Sequence, residues 1–397
     1  MRLLKRKTFL LLPFLLFAPS GCQTIATYNA IPDNYRVLFW SQDKREKAAI
    51  NAQDYSEVAT IAASGISSTL PIGAPLQLNG DIENYFETQD IAGLIVLHKG
   101  EIRLEKYALS LTPEAAWSSF SIAKSITSTL IGAAIKDGYI DSLESDITHY
   151  IPELKDTAYE GVTVRHILTM TSGVGWDENY SDIKSDVAQF IAHKPDEGLD
   201  VTLSYMRKLK RVVPAGEQFN YSTGETNLAG ILVAKATGKT LSTYLSEKIW
   251  KPYGMEADAI WALSPTGEEI GGCCISARLR DYARFGQFML GGAKINGVSI
   301  VPEGWVEQAT TTQQSFNEHR GYGYLWWTYA NQSYLAKGIF GQQIGIVPTH
   351  DYVTVILSNW PNTGANSQVS KNRYEMQRDI ALALFPDELE ASPKTLP

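Results

Sequence analysis

The chain has 397 residues, which is more than one small domain needs and suits one large composite fold or two interleaved lobes. Hydrophobic residues make up 44% and charged residues 20%, as in ordinary globular proteins, so the composition excludes a wholly disordered chain. The formal net charge is -8, from 35 Lys and Arg against 43 Asp and Glu. No long basic run follows the first ten residues, so a nucleic-acid partner is not expected.

The first 22 residues have the layout of a secretory signal. Four basic residues precede an apolar run from Phe9 to Ala18, which is too short to span a bilayer comfortably. The ending Ser20-Gly21-Cys22 resembles a bacterial lipoprotein cleavage site, where the cysteine becomes the lipidated first residue. We therefore predict an exported periplasmic or cell-envelope protein, anchored to a membrane through lipid on Cys22. The alternative is an ordinary cleaved signal with an incidental cysteine.

The other cysteines and the histidines predict neither a disulfide framework nor a metal site. Cys273 and Cys274 are adjacent, and neighbouring cysteines rarely form a good disulfide because the geometry is strained. The six histidines are scattered and never fall in HExxH or HxH spacing. The fold is therefore expected to depend on its core, and no cofactor is expected.

The first third of the chain contains a lead-in, a hairpin and a helix. Residues 23 to about 75 lack strong periodicity and are interpreted as a tether and lead-in to one domain over 76–390. From Ile91 to Ala108, two strand-like runs flank Lys99-Gly100, which predicts a β-hairpin. Apolar residues at helical spacing then predict a helix from Ser121 to Lys136, which Asp137-Gly138 ends.

The rest of the chain has a helical middle followed by a strand-rich end. Helical patterns broken by Gly, Pro and Asn predict a mostly helical lobe over about 140–290, with helices at Asn227–Thr237, Ser242–Trp250 and Ala277–Leu290. The last third predicts strands at Tyr322–Tyr329, Tyr334–Val347 and Tyr352–Asn359 and a final helix at Ser367–Leu384. This order predicts an α+β fold: an antiparallel sheet of about five or more strands, flanked by helices, with an inserted helical lobe.

A serine and a lysine lie three positions apart at the predicted helix start, in Ser121-Ile122-Ala123-Lys124. Such residues share one helix face, so the amine can reach the hydroxyl. A serine hydroxyl becomes a good nucleophile when a neighbour takes its proton, and a lysine can do so only when it is neutral. Burial or a nearby cation would lower the lysine pKa to allow this. The alternative interpretation is a solvated helix face.

Two further segments contain candidate site residues. Pro214–Ser222, with the sequence PAGEQFNYS, presents Tyr221 after a Pro-Ala-Gly turn, and a phenol can shuttle a proton between nucleophile and leaving group. Residues 336–342, with the sequence AKGIFGQ, place glycines inside a predicted strand, which favours close approach of a ligand or backbone. The alternatives are a core tyrosine and a β-bulge.

In this order, the three segments resemble the serine β-lactamase and penicillin-binding-protein family, in the class C-related branch of esterases and 6-aminohexanoate-dimer hydrolases. The resemblance covers roughly residues 80–385 and includes TVRHILTMTSG at 163–173 and GGCCISARLRDYARFG at 271–286. It implies a β-lactamase/transpeptidase-like fold and a hydrolase that cleaves small ester or amide substrates through an acyl-enzyme, without a cofactor.

The resemblance also implies roles for individual residues. Ser121 would be acylated, and Lys124 would act as the base or would polarise Tyr221, which relays a proton to the leaving group. The backbone N–H groups of Ser121 and Ile339 would bind the oxyanion. Tyr180 and Gly338 would contact the substrate; the alternative for Tyr180 is an exposed loop aromatic.

Two departures from the family pattern separate this chain from penicillin-recognising enzymes. Tyr221-Ser222-Thr223 stands where those enzymes have Y-x-N, and Ala336-Lys337-Gly338 stands where they have Lys-Thr-Gly. We therefore predict weak or absent β-lactamase activity. A D,D-peptidase acting on cell-wall peptides and a catalytically inactive binding protein of the same fold remain the alternatives.

Overall fold

A computed structural model of the chain describes residues 31–33, 36–363 and 367–386. The predicted signal and the predicted lipidation site at Cys22 lie outside these residues and stay predictions. None of the helices in the described ranges combines the length and hydrophobicity needed to cross a bilayer.

The described residues form 14 short strands in three antiparallel sheets. The strands are β1 (Val58–Ile61), β2 (Ile91–His98), β3 (Glu101–Tyr107), β4 (Ala116–Ser118), β5 (Ala259–Ala262), β6 (Ile275–Arg278), β7 (Lys294–Ile295), β8 (Val298–Ser299), β9 (Gln314–Ser315), β10 (Arg320–Tyr322), β11 (Trp327–Tyr329), β12 (Tyr334–Lys337), β13 (Gln343–Val347) and β14 (Tyr352–Ser358). The main sheet has eight strands in the order β3-β2-β14-β13-β12-β11-β10-β9, and a second has β1-β5-β6-β4. The predicted α+β class with an antiparallel sheet is confirmed.

Helices flank the main sheet and fill the middle of the chain. The α-helices are α1 (Gln42–Ile50), α2 (Ile82–Thr88), α3 (Ile122–Lys136), α4 (Ile147–Tyr150), α5 (Val164–Leu168), α6 (Asp186–Gln189), α7 (Val201–Met206), α8 (Thr223–Thr237), α9 (Leu241–Leu245), α10 (Lys251–Tyr253), α11 (Leu279–Leu290), α12 (Trp305–Thr310) and α13 (Ser367–Leu384). Short 3-10 segments lie at Val37–Phe39, Ala52–Asp54, Pro152–Leu154, Phe190–Ala192 and Pro348–His350, and a π-helical turn lies at Ser246–Trp250.

Strand β2 is buried on both faces, which explains why its sequence is an almost continuous apolar run. Because side chains alternate across a strand, Ile95 and Leu97 join the core that includes α3 and α11, while Leu94 and Val96 pack with α2 and α13 on the opposite face. Burial of each such side chain contributes roughly 1.5–3 kcal/mol. The predicted hairpin is confirmed, and both Lys99 and Gly100 adopt positive φ in its turn.

Helix α3 lies at the centre of the molecule. Its residues from Ile122 to Ala134 are all buried, and it packs against α8. It ends at Lys136, and Asp137 and Gly138 follow, with φ of +79° at Gly138. The helix predicted from the apolar spacing is therefore confirmed, and burial fixes the start of α3 relative to the sheet.

The region interpreted as a tether and lead-in is folded where the structure describes it. Helix α1 begins after Ser41, and the Gln42 and Asn359 side chains donate to each other's backbone carbonyls at 2.6 and 3.0 Å. Strand β1 pairs with β5 from Val58 to Ile61. The tether interpretation is wrong for this part because distant residues, rather than local periodicity, stabilise it.

Four predicted elements had wrong limits. The helix predicted from Asn227 begins one turn earlier, at Thr223. The segment predicted as a helix from Ala277 begins as strand β6, which pairs with β4 and β5. The predicted strand at Tyr322–Tyr329 is broken by Leu325, whose φ is +61°. The predicted strand at Tyr334–Val347 is a hairpin, β12 and β13, because the chain turns at Gly341 with φ of +92°.

Candidate active site

Ser121 lies between β4 and the first turn of α3. The preceding residue, Phe120, has φ of +45°, an uncommon conformation for a bulky residue. The Phe120 ring packs edge-on against Phe340, with ring centroids 4.9 Å apart. Ser121 is 9% exposed, so its hydroxyl reaches the surface of a cleft while its backbone is fixed by the strand before it and the helix after it.

The Lys124 ammonium group is held by three oxygen atoms. Lys124 Nζ lies 3.0 Å from Ser121 Oγ, 3.0 Å from Thr223 Oγ1 and 2.8 Å from the carbonyl oxygen of Gly272. The side chain is 1% exposed. Burial lowers the Lys124 pKa to about 8, although the negative charge of Glu178 acts in the opposite direction. A neutral amine is thus accessible near physiological pH beside a serine hydroxyl.

Tyr221 belongs to a distant segment of the chain and lies at the same site as Ser121 and Lys124. Its phenol is close enough to Ser121 for that side chain to lower the Tyr221 pKa, and Lys124 Nζ lies 5.2 Å from the centre of its ring. The ring stacks on Trp327, with centroids 5.9 Å apart. Burial and the charge of Glu178 raise the Tyr221 pKa, so the side chain is a neutral phenol and a proton donor at neutral pH. The predicted convergence of Ser121, Lys124 and Tyr221 is present in the structure.

Glu178 and Thr223 also connect to this cluster, although neither was predicted as a site residue from the sequence. The Glu178 carboxylate accepts a hydrogen bond from the Thr223 N–H at 2.9 Å and another from the Thr223 hydroxyl. The same hydroxyl accepts from Lys124. The position of Thr223 two residues after Tyr221 was the available signal, while Glu178 lies in a loop with no periodicity. Together they bring one negative charge close to the amine.

Tyr180 also lies at this site, where its hydroxyl donates to Glu178 at 2.7 Å. Burial raises its pKa well above the usual value, so it is a neutral donor. Its side chain lines the same cavity as Ser121 and is only partly exposed. Whether it contacts a substrate stays a prediction.

Gly338 and Ile339 form the turn between β12 and β13 rather than the strand interior that the sequence suggested. A Cβ at Gly338 would lie 2.7 Å from the Ser119 carbonyl oxygen, so glycine allows the turn to approach the segment before Ser121. Ile339 lines the cavity beside Ser121. Within the described residues, the N–H groups of Ser121 and Ile339 donate to no protein acceptor. The substrate-binding role of Gly338 stays a prediction.

The structure places the sulfur atoms of the adjacent Cys273 and Cys274 next to each other. Both follow Gly272, whose carbonyl accepts from Lys124, and both line the cavity at Ser121. Across the described ranges, no group of His, Cys, Asp and Glu side chains could hold a metal ion.

The fold and this site define a hydrolase of the β-lactamase and penicillin-binding-protein class. The chain belongs to the beta-lactamase family, whose profile matches residues 78–374. It is 27% identical over 365 residues to the 6-aminohexanoate-dimer hydrolase of Paenarthrobacter ureafaciens, an alignment that covers 87% of this chain and 90% of that protein.

Two solved structures place the fold in the same group. A Bacillus anthracis protein assigned as a 6-aminohexanoate-dimer hydrolase superposes with a TM-score of 0.75 at 22% identity, covering 88% of this chain and 95% of that one. A penicillin-binding-protein homologue from Caulobacter crescentus superposes with a TM-score of 0.56 at 16% identity, covering 73% and 94%. These likenesses establish the fold alone.

Proposed function

We propose that the protein is a serine hydrolase that cleaves an ester or amide bond through an acyl-enzyme on Ser121. The observation that carries the proposal is the buried Lys124 amine, 3.0 Å from Ser121 Oγ and with a pKa of about 8. An amine in this state takes the serine proton as the oxygen attacks the substrate carbonyl carbon. Because the Tyr221 pKa is raised, we favour Lys124 as the base over a Tyr221 phenolate.

The tetrahedral intermediate would carry its negative charge at the backbone N–H groups of Ser121 and Ile339. Both residues line one cavity, and Ser121 also lies at the start of α3, where the helix dipole favours an anion. Removal of one such donor typically lowers kcat by about 10²- to 10³-fold. The turn that presents Ile339 is braced by Gln342, whose side chain donates to the Ser358 carbonyl at 2.7 Å.

Tyr221 would then complete the proton transfer. Its neutral phenol protonates the leaving alkoxide or amine as the carbonyl–leaving-group bond breaks, and the Lys124 ammonium returns a proton to it. In the second step a water molecule gives a proton to Lys124 and attacks the acyl carbon. The bond between that carbon and Ser121 Oγ then breaks, and Ser121 takes the proton back from Lys124. The position of the Tyr221 hydroxyl at Ser121 supports this role.

Glu178 is proposed as a positioning residue whose charge raises the Lys124 pKa against the larger effect of burial. We expect Glu178→Gln to lower that pKa further, because the carboxylate now opposes the effect of burial. The rise of kcat/KM with pH should therefore move to lower pH, and kcat should fall about tenfold through disturbance of Thr223. Asp177→Asn, at an exposed neighbouring position, is the control. An unchanged pH profile in Glu178→Gln would refute the electrostatic role.

A substrate panel tests the proposed function. We expect the purified protein to turn over short-chain nitrophenyl esters or linear amide dimers at least about 100-fold faster than nitrocefin or D-Ala-D-Ala peptides. The reason is that Thr223 is engaged by Glu178, while the Lys337 ammonium donates to the Tyr329 hydroxyl at 2.6 Å. Efficient nitrocefin turnover would contradict this, and preference for D-Ala-D-Ala peptides would favour the D,D-peptidase. No turnover and no fluorophosphonate labelling would favour the inactive binding protein.

A further inference from the structure

An apolar cavity of about 170 Å³ opens at Ser121. Ser121 and Ile339, which would hold the reacting carbonyl, lie in its lining, whereas Tyr221 and Lys124 do not. Because a proton donor must face the group it protonates, the leaving group of a substrate lies toward Tyr221. The cavity therefore extends from the reacting carbon on the acyl side.

One wall of this cavity is formed by the N-terminal segment, residues 37–58. This wall precedes the part of the chain that matches the family profile, which begins at residue 78. The helical lobe around α6 also contributes to the lining. The segment contributes Trp40, Ala48, Ala52 and Tyr55, and the lobe contributes Val187, Phe190 and Ile191. The N-terminal segment is thus a folded part of the pocket wall.

Arg45 alone carries a charge among the described residues that line the cavity. Its guanidinium is engaged by protein groups: it donates to the carbonyl of Trp40 at 2.6 Å and to that of Trp360 at 2.7 Å. It also lies over the Phe340 ring at 4.0 Å. Its buried Nε has no hydrogen-bond partner among the described residues. A positively charged end on a bound chain would lose its hydration and meet a like charge there, which is unfavourable.

We infer that the cavity binds the acyl group of the substrate and selects an apolar chain of about six to eight carbons, or a single aromatic ring, that carries no positive charge. This inference rests on the proposed serine hydrolase function. An apolar cavity of about 150 Å³ holds one benzene molecule, and this comparison gives the expected size of the acyl group. The N-terminal segment therefore determines acyl specificity, and its arginine joins it to the turn that presents Ile339.

Two series of nitrophenyl and alkyl esters test the inference. With a fixed leaving group, kcat/KM should rise about fourfold per methylene from acetyl to about hexanoyl or octanoyl and then fall. A 6-aminohexanoyl ester should react at least about 100-fold more slowly than the hexanoyl ester. With a fixed acyl group, lengthening an alkyl leaving group should give no comparable rise.

Filling the cavity from the N-terminal wall gives a matched pair of variants. Ala48→Phe places a ring at a lining position of α1, and Lys47→Phe places the same ring at an exposed position of that helix. We expect Ala48→Phe to lower kcat/KM for the octanoyl ester at least tenfold. The acetyl ester should change less than about threefold, and Lys47→Phe should leave both within about twofold.

The possible failures are distinguishable. Ester turnover without acyl-length preference, or equal loss of acetyl and octanoyl turnover in Ala48→Phe with normal folding by circular dichroism, overturns the cavity assignment and leaves the hydrolase intact. A length dependence that follows the leaving group also overturns it. Absence of all ester and amide turnover, with no covalent labelling of Ser121, overturns the proposed function and the inference with it.

Discussion

Replacing Ser121 with alanine is expected to lower kcat/KM by about 10⁴- to 10⁶-fold and to abolish covalent labelling by a fluorophosphonate. The hydroxyl is the atom that would form the acyl bond, whereas the Thr223 hydroxyl, which also lies beside Lys124, donates to Glu178. The measurement is steady-state ester turnover, together with intact-protein mass after probe treatment. The wild type should gain one probe mass, located at Ser121 by peptide mapping.

The control for this change lies on the same helix. Ser128 is fully buried, and its hydroxyl has no hydrogen-bond partner among the described residues. Ser128→Ala should therefore fold normally, label normally and retain turnover within about twofold. Equal labelling of Ser121→Ala and the wild type would show that another residue is the nucleophile, and the site assignment would be wrong.

Replacing Lys124 with methionine or with arginine is expected to lower kcat/KM by about 10²- to 10⁴-fold in both variants. Methionine removes the amine, and arginine keeps a positive charge but does not lose its proton in this range. Equal losses would show that the neutral amine, rather than a fixed charge, is what the reaction needs. Retained activity in Lys124→Arg would instead favour the role in which a cation polarises Tyr221.

The pH dependence of the wild type gives an independent test of the same role. The folded Lys124 pKa is about 8, below its usual 10.5, so the fraction of neutral base increases as pH rises through about 8. We expect kcat/KM to rise with pH over that range and to level off above it, because Tyr221 keeps its proton there. A profile that falls between pH 7 and 9 would contradict the neutral base.

The chemistry of the site was largely predictable because it depends on local geometry. Serine and lysine three positions apart share one face of a helix, so the Ser121–Lys124 contact follows once α3 forms. The hairpin at Lys99-Gly100 and the end of α3 at Asp137-Gly138 follow from turn residues in the same way. The approach of Tyr221 was inferred from family resemblance, because the residue lies about a hundred positions away.

Other features depend on contacts that have no local signature. Glu178 reaches Thr223 across 45 positions, and Arg45 reaches Trp360 across 315. The turn at Gly338 had the composition of a strand, and the N-terminal segment lacked periodicity, so both were misinterpreted. Close backbone approach and burial against distant elements decided their conformation, and these are properties of the packed molecule.

By itself the sequence determined the α+β class and the pairing of a hydroxyl with an amine, since both follow from residue periodicity over a few turns or strands. Only the tertiary structure decided the ionisation of Lys124, because burial and the charge of Glu178 together set its pKa. It alone also decided the shape of the cavity at Ser121, whose walls come from segments far apart in the chain. Desolvation and pocket shape both arise because side chains from distant segments pack together and exclude water from the site.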